Sequence, residues 1–544
     1  VILALWLPYL VGLALTLIIE ALLRPSVAPF WRRPGATSVV HLGSWSLLFG
    51  VFLLVLQRPW FALVFITSLQ MVVVQSSNTK SRTLREPFIC QDFEYFIDAI
   101  RHPRLYVPFF GIGLAIAASS AGALAIAGFL VFEQALPGTH GLTAFIIAIA
   151  ALLLIASGLL ALGLRGLPAP TLAPQHDLER FGLFSALWAY GLRARQPLDA
   201  DRLARRFELP PASTLDPTRL PNVVAVQSES FFDPRRWSSA LPRDLLPNFD
   251  ALSRDALVHG PLTVPVWGAN TVRTEAGFLA GLSGEELGIH RFNPYRQLTH
   301  LQVPNLVASL KSLGYRCVCV HPYPASFYLR DRVMPQLGFD DFIDISAFSD
   351  EQRDGQYISD LAVADRVGRL LEESDNGPLF VFVITMENHG PLHLERPVPD
   401  DAPALPTDLT GPDAGRYDDL RIYLRHLRNA DDMIKALRQH LAPSSKRHSR
   451  HGMLCWYGDH VPIMTDIYQQ LGEPDGNTSY VIWSSRSAGT RKTQTVRPRP
   501  MTVEILGQRL LRTVIAEASR ETQPNMTCER QAVAGQPQNS QEQE

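Results

Sequence analysis

Apolar residues are distributed unevenly along this chain, and that asymmetry limits its fold more than any other feature. Long hydrophobic stretches run from Val1 to Leu23, Val39 to Leu56, Trp60 to Val74, Tyr106 to Phe132 and Leu142 to Leu164. Most approach the roughly 20 residues needed to cross a bilayer, so five spans are expected. Trp60 to Val74 is short for the hydrocarbon thickness, and a buried core helix is its alternative. Beyond residue 165 charged residues dominate. A chain of 544 residues with this shift reads as a membrane region, 1–165, followed by a linker, 166–220, and a soluble domain, 221–515.

The basic residues complicate the orientation. Arg24, Arg32 and Arg33 follow the first stretch, and Lys80, Arg82, Arg85, Arg101 and Arg104 follow the third. The positive-inside rule places both loops in the cytoplasm and, with five spans, the soluble domain with them. The chemistry read below requires the opposite side. Either the span count is off by one or these loops have another task, such as holding anionic headgroups. In the linker, Phe181, Phe184, Leu187, Trp188 and Leu192 recur at helical spacing beside basic residues. That pattern fits a helix lying at a membrane interface or one packed on the soluble domain.

A net charge of −2 gives no reason to expect nucleic acid as a partner. Cys90, Cys317, Cys319, Cys455 and Cys528 are too few and too irregular for a disulfide framework or a zinc ribbon. Cys317 and Cys319 alternate within an apolar run and are expected on one face of a strand. The tail, 516–544, rich in Gln, Glu, Ser and Asn, is expected to be disordered, and the Pro- and Asp-dense stretch from Pro397 to Gly415 to be a surface excursion.

From Asn222 onward, NVVAVQS, YRCVCV, LFVFVIT, MLCWY and YVIWS alternate with longer amphipathic stretches. This predicts an α/β domain with a mainly parallel sheet covered on both faces. Ligands of such sheets bind beyond the carboxyl ends of the strands. Glu229, His321, Asn388 with His389, and Asp459 with His460 stand at those ends. Carboxylates and imidazoles together suit a divalent cation such as manganese, zinc or magnesium. A nucleophile bound to the same metal completes the set. In VPVWGANTVRTEAGFLAGLSG, Gly268 and Ala269 permit close backbone approach, and Thr271 opens a helix whose first amides face an incoming anion. Thr271 and Thr274 both fit, and a plain N-cap completed by Glu275 uses the same residues.

VAVQSESF, WGANTVRTEAGFLAG, ITMENHGP and WYGDH, in this order and spacing, resemble the lipoteichoic acid synthase and phosphoglycerol transferase branch of the sulfatase-like, alkaline phosphatase superfamily. The likeness runs from Pro221 to about Leu511 and extends to the multi-span half. In that branch the nucleophilic threonine stands four residues before a glutamate, which selects Thr271. The resemblance implies one divalent cation, commonly manganese, held by Glu229, Thr271, Asp459 and His460. HPYPASFYLRD matches the headgroup-binding stretch and implicates His321, Tyr328 and Arg330, and His389 is expected to contact the transferred phosphate or aid the leaving group. Two positions depart from the branch: Asn270 stands where a lysine is frequent, and Tyr328 where a tryptophan is usual.

The activity implied is a membrane-bound, metal-dependent phosphotransferase moving glycerophosphate from phosphatidylglycerol to a glycan or polymer hydroxyl through a threonine ester. Phosphoethanolamine transfer and phosphodiester hydrolysis are the enzymatic alternatives, and a scaffold or sensor with a degenerate domain the non-enzymatic one. A true sulfatase lacks support, because the Cys/Ser-x-Pro-x-Arg segment is absent at the nucleophile. The preference for arginine over lysine and the high alanine content point to a GC-rich bacterial genome, hence to a multi-pass inner-membrane protein with a periplasmic catalytic domain.

Overall fold

The computed structural model describes residues 2–101, 103–105, 112–198, 207, 209, 215–374, 377–398, 414–442, 450–486 and 496–519. Five apolar helices open the chain: α1 (Ile2–Glu20), α2 (Gly35–Leu56), α3 (Pro59–Leu84), α4 (Ile112–Phe132) and α5 (Leu142–Arg165). Four stretches among the described residues are long and apolar enough to cross a membrane: Gly35–Leu56, Pro59–Leu84, Ser119–His140 and Leu142–Arg165. In α1 the apolar helix over Ala4–Glu20 is shorter than these. Helices α2 and α5 approach closely because glycine faces backbone at both ends of their contact. A Cβ on Gly43 would lie 2.7 Å from the Leu160 nitrogen, and one on Gly163 2.8 Å from the Val40 nitrogen. Small residues allow this van der Waals closeness where lipid offers no hydrophobic driving force between helices.

The stretch expected to end at Val74 continues as helix to Leu84. Its last turns are polar, yet Ser76, Ser77, Thr79 and Thr83 are buried. Hydropathy ends where lipid contact ends, but the helix persists because its polar turns pack against protein. The basic loops also find partners. Arg33 pairs with the buried Glu20 at 2.7 Å, Lys80 with Asp92 at 2.8 Å, and Arg85 with Glu473 of the soluble half. These three charges are spent on ion pairs at the junction.

The linker forms two helices, α6 (Pro174–Phe181) and α7 (Leu183–Arg193), broken at Gly182. Their apolar faces join one cluster with Leu23 and Val74 of the membrane half and Ile289 and Phe292 of the soluble half. Glu20 also accepts the Leu183 amide at 2.5 Å. The linker is thus a packed bridge between the two halves.

Ten strands follow: β1 (Asn222–Ser228), β2 (Val258–Thr263), β3 (Arg316–Val320), β4 (Asp341–Ile343), the two-residue strands β5 (Arg353–Asp354) and β6 (Tyr357–Ile358), β7 (Leu379–Ile384), β8 (Gly452–Gly458), β9 (Thr478–Ser484) and β10 (Met501–Thr502). The main sheet has the order β10-β2-β9-β8-β1-β7-β3-β4. Only β9 runs against the rest. Along β1 the pleat sends Val224 and Val226 into one core and Val223 and Ala225 into the other. Five helices matter below: α8 (Thr271–Ala280), α9 (Arg330–Leu337), α10 (Asp360–Glu373), α11 (Asp418–Leu441) and α12 (Val503–Ser519). Residues of α10 and α11 fill the first core; those of α8 and α12, with Cys317 and Cys319, fill the second. Helix α12 carries the ordered chain past the expected boundary at 515 to Ser519. The rest of the tail, and 399–413 of the expected surface excursion, lie outside the described residues.

Candidate active site

Register assembles the site. Ser228 of β1 lies opposite Gly458 of β8, so Glu229 and Asp459 leave the sheet side by side. Gln227 lies opposite Ile384 of β7, which brings Asn388 and His389 to the same edge. One ligand atom each from Glu229, Asp459 and His460 lies within 4.8 Å of the others, all three residues being buried. The Nε2 of His460 is 3.5 Å from Glu229 and 3.3 Å from Asp459.

Hydrogen bonds orient these groups. Asp459 Oδ1 accepts the Ser230 amide at 2.9 Å and the His460 amide at 2.8 Å. Its Oδ2 has no hydrogen-bond partner, nor has His460 Nε2. The Nδ1 of His460 donates to the Val461 carbonyl at 3.1 Å, which places the Nε2 lone pair toward the carboxylates. Burial raises the Glu229 carboxyl above its ordinary range, and the neighbouring Asp459 raises it further. Two crowded acids with an unsatisfied oxygen and imidazole nitrogen are what a divalent cation relieves. The residues fit such an ion.

Thr271 is the first residue of α8 and is buried. Asn270 before it is left-handed, at φ 64°, a region asparagine tolerates. Gly268 has φ +71°, and a Cβ there would meet Ile463 at 2.5 Å, so the turn requires glycine. One turn into the helix, Thr274 donates its hydroxyl to the Asp459 carbonyl at 3.0 Å. That hydroxyl is fully buried and committed.

A small pocket of about 70 Å³ opens over this edge, lined by Glu229, Ser230, Gly268, Ala269, Tyr328, Asn388 and His389 among others. The Asn388 amide is buried and both of its polar atoms lack a hydrogen-bond partner. His389 Nδ1 donates to the Gly390 carbonyl at 2.6 Å, and burial lowers the pKa of the ring. The ring is therefore neutral with a lone pair on Nε2. Tyr328 and Leu329 are consecutive left-handed residues, at φ 57° and 59°. Leu105, Ala269, Tyr328 and Ile463 also line a second, apolar pocket of about 180 Å³ that extends along Ser76, Thr79, Lys80, Thr83 and Leu84 of α3.

The sulfatase family model matches residues 221–507, more than half of the chain. The chain belongs to the sulfatase family. A capsular polysaccharide biosynthesis protein of Rhizobium meliloti is 26% identical to this sulfatase-family chain over 456 residues, 80% of this chain and 79% of the relative. Among solved structures, the lipooligosaccharide phosphoethanolamine transferase A of Neisseria meningitidis, an integral membrane protein, aligns with a TM-score of 0.56 over 94% of this chain and 95% of its own, at 14% identity. The crystal structure of a lipoteichoic acid synthase from Listeria monocytogenes aligns with a TM-score of 0.44 at 20% identity, covering 60% and 79% of the two chains.

Two residues expected at the substrate stand behind the pocket of this sulfatase-family site. Arg330, 1% exposed, spends Nε on Glu275 Oε2 at 3.1 Å, Nη2 on Glu275 Oε1, and Nη1 on His321 Nε2 at 3.1 Å. His321 in turn gives Nδ1 to the Ile384 carbonyl at 3.1 Å. Burial and then Arg330 hold its pKa well below the ordinary value. Both side chains are thus buried and hydrogen-bonded within the protein, and neither is on the pocket lining. The sequence placed Asn388 at a strand end without giving it a role. Ser230, beside Glu229, and the α3 wall were missed, because nothing in local pattern links residue 80 to residue 270.

Among the described residues a second group, Asp354, Glu387 and His426, is close enough to hold a metal. Its imidazole is already bound at both nitrogens, by Glu387 at 2.8 Å and Glu395 at 3.0 Å. Burial lowers the His426 pKa, but the two carboxylates outweigh it and push it up to about 9. Glu387 and Glu395 hold the imidazolium between them as an acid–imidazolium–acid clamp.

Proposed function

We propose that this protein transfers a glycerophosphate group from an anionic phospholipid, phosphatidylglycerol, to a glycan hydroxyl, outside the cytoplasm, with Thr271 as nucleophile. One observation carries the reading. The unsatisfied Asp459 and His460 atoms lie under a pocket that shares four lining residues with an apolar pocket on α3. A substrate with a phosphodiester at one end and hydrocarbon at the other fits both together. The commitment of Thr274 to Asp459 supports Thr271 as the reacting hydroxyl.

Glu229, Asp459, His460 and the Thr271 oxygen would hold one divalent ion, manganese in the resemblance. When bound, such an ion lowers the pKa of the hydroxyl and offsets phosphoryl charge. In the first half-reaction Thr271 Oγ1 forms a bond to phosphorus as the bond to the diacylglycerol oxygen breaks, and the threonine proton ends on that oxygen. Neutral His389, with its Nε2 lone pair, is suited to carry the proton between them. Asn388 and Tyr328 are placed to contact the headgroup. The membrane half keeps the site at the bilayer surface, which raises the effective concentration of a lipid donor.

The relative from Rhizobium, named for capsular polysaccharide biosynthesis, favours a glycan acceptor. Phosphoethanolamine transfer, the reaction named for the Neisseria protein of like fold, is the second reading. Incubation of the full chain with manganese and headgroup-labelled phosphatidylglycerol, followed by mass analysis of the peptide containing Thr271, separates the two. A phosphoglycerol adduct lost in Thr271→Ala is expected. A phosphoethanolamine adduct formed instead from phosphatidylethanolamine hands the site to the second reading, and no adduct from either lipid refutes both.

A further inference from the structure

The loop from Val266 to Asn270 has two sides. Gly268 and Ala269 line the reaction pocket, whereas Val266, Trp267 and Asn270 line a cleft of about 310 Å³ that shares Leu84 and Asn270 with the apolar pocket. Arg85, Thr263, Asp475 and Asn477 are also on the cleft wall. A neighbouring hollow of about 190 Å³ shares Asp475 and Asn477 and adds Asp233, Arg236, Trp237 and Glu473. The two hollows therefore form one polar groove running along the loop Glu473–Asn477.

Its chemistry differs from that of the apolar pocket on the α3 side. Two indoles, Trp237 and Trp267, stand among four carboxylates, two amides and three guanidinium groups. Arg85 pairs with Glu473 and lies over the Trp267 ring. Four carboxylates against three guanidinium groups leave the groove no positive excess to attract an anionic headgroup. Donors and acceptors of both kinds beside aromatic surface suit a neutral polyhydroxylated ligand, whose hydroxyls both give and take hydrogen bonds and whose C–H faces lie on rings.

We infer that this groove seats the acceptor glycan of the transfer reaction, an assignment that rests on the function proposed above. Asn270, which replaces the lysine frequent in the resembled branch, lines the groove and directly precedes Thr271. The groove meets the apolar pocket at Leu84 and Asn270, so a glycan seated there lies beside the path along which diacylglycerol leaves. The acceptor oxygen forms a bond to phosphorus as the bond to Thr271 Oγ1 breaks, and the acceptor proton ends on the threonine oxygen.

The test is how the headgroup divides between glycan and water. The full chain in lipid nanodiscs containing headgroup-labelled phosphatidylglycerol is mixed with the glycan fraction extracted from the envelope of its native bacterium. Label is then counted in glycan and in free glycerophosphate. Asp475→Ala and Arg236→Ala, both at exposed positions, are expected to lower the glycan share about ten-fold relative to water, the scale of one or two lost hydrogen bonds. Release to water reports that each variant is folded and still forms the intermediate. A glycan share equal to that of the unmodified protein in both variants overturns the groove assignment. So does a wild-type chain that forms the Thr271 adduct but labels a lipid, or only water, in place of glycan. A wild-type chain that forms no adduct fails at the earlier step and refutes the donor chemistry itself.

Discussion

Replacing Glu275 by glutamine removes the charge that neutralises Arg330 while keeping volume and most hydrogen bonds. Glu275 is fully buried, accepts the Tyr295 hydroxyl at 2.6 Å and takes two nitrogens of Arg330. Breaking a buried pair by removing one partner costs ~3–5 kcal/mol, because the remaining charge is left unsolvated. Glutamine keeps an acceptor for Arg330, so the low end, ~3 kcal/mol, is expected. On a domain of this size that is a fall in Tm of about 6 °C, read from intrinsic tryptophan fluorescence of the full chain in detergent. Replacing both partners, Glu275→Leu with Arg330→Met, removes the uncompensated charge. It should return stability to within ~1–2 kcal/mol of the wild type. The same double variant separates a structural arginine from a substrate contact. It should retain measurable threonine adduct, since Arg330 acts through His321 and the pocket wall. A Glu275→Gln protein whose Tm falls by less than about 2 °C would refute the reasoning from buried charge.

Glu229→Gln and His460→Ala should each abolish retention of a divalent ion through gel filtration. Elemental analysis should fall from about one ion per chain to near none, with far-UV circular dichroism unchanged. The His426 clamp makes a pH-dependent contribution of known sign. Its folded pKa of about 9 lies above the ordinary histidine value, so its stabilisation is complete below pH 6.5 and is lost as pH rises through 9. The gap in Tm between wild type and His426→Gln should therefore be widest near pH 6 and close toward pH 10. The full term is ~3 kcal/mol, and a gap that stays constant or widens with pH would overturn the imidazolium assignment.

Strand ends were readable because period and length say where each apolar run stops. Glu229, Asp459 and His460 follow their runs directly, and parallel pairing carries them to one edge whatever connects the strands. The same logic did not reach the partner of Arg330. Sequence shows a cationic residue near a headgroup-like motif, but its partner Glu275 lies 55 positions earlier on another helix, and that pairing is a fact of packing alone. Helix α3 was misread for a related reason. Hydropathy reports contact with lipid, so it stops at Val74, while the buried serines and threonines beyond it answer to protein contacts. The basic loops belong to the same class. Glu20, Asp92 and Glu473 absorb Arg33, Lys80 and Arg85, and Glu86 holds Arg273 in the first turn of α8 at 2.8 and 3.1 Å. That last pair ties the end of a membrane helix to the helix that carries Thr271. Charges that a topology rule counts as free thus fix Thr271 relative to the membrane helices, and the transfer proposed above from a membrane lipid needs that fixed geometry.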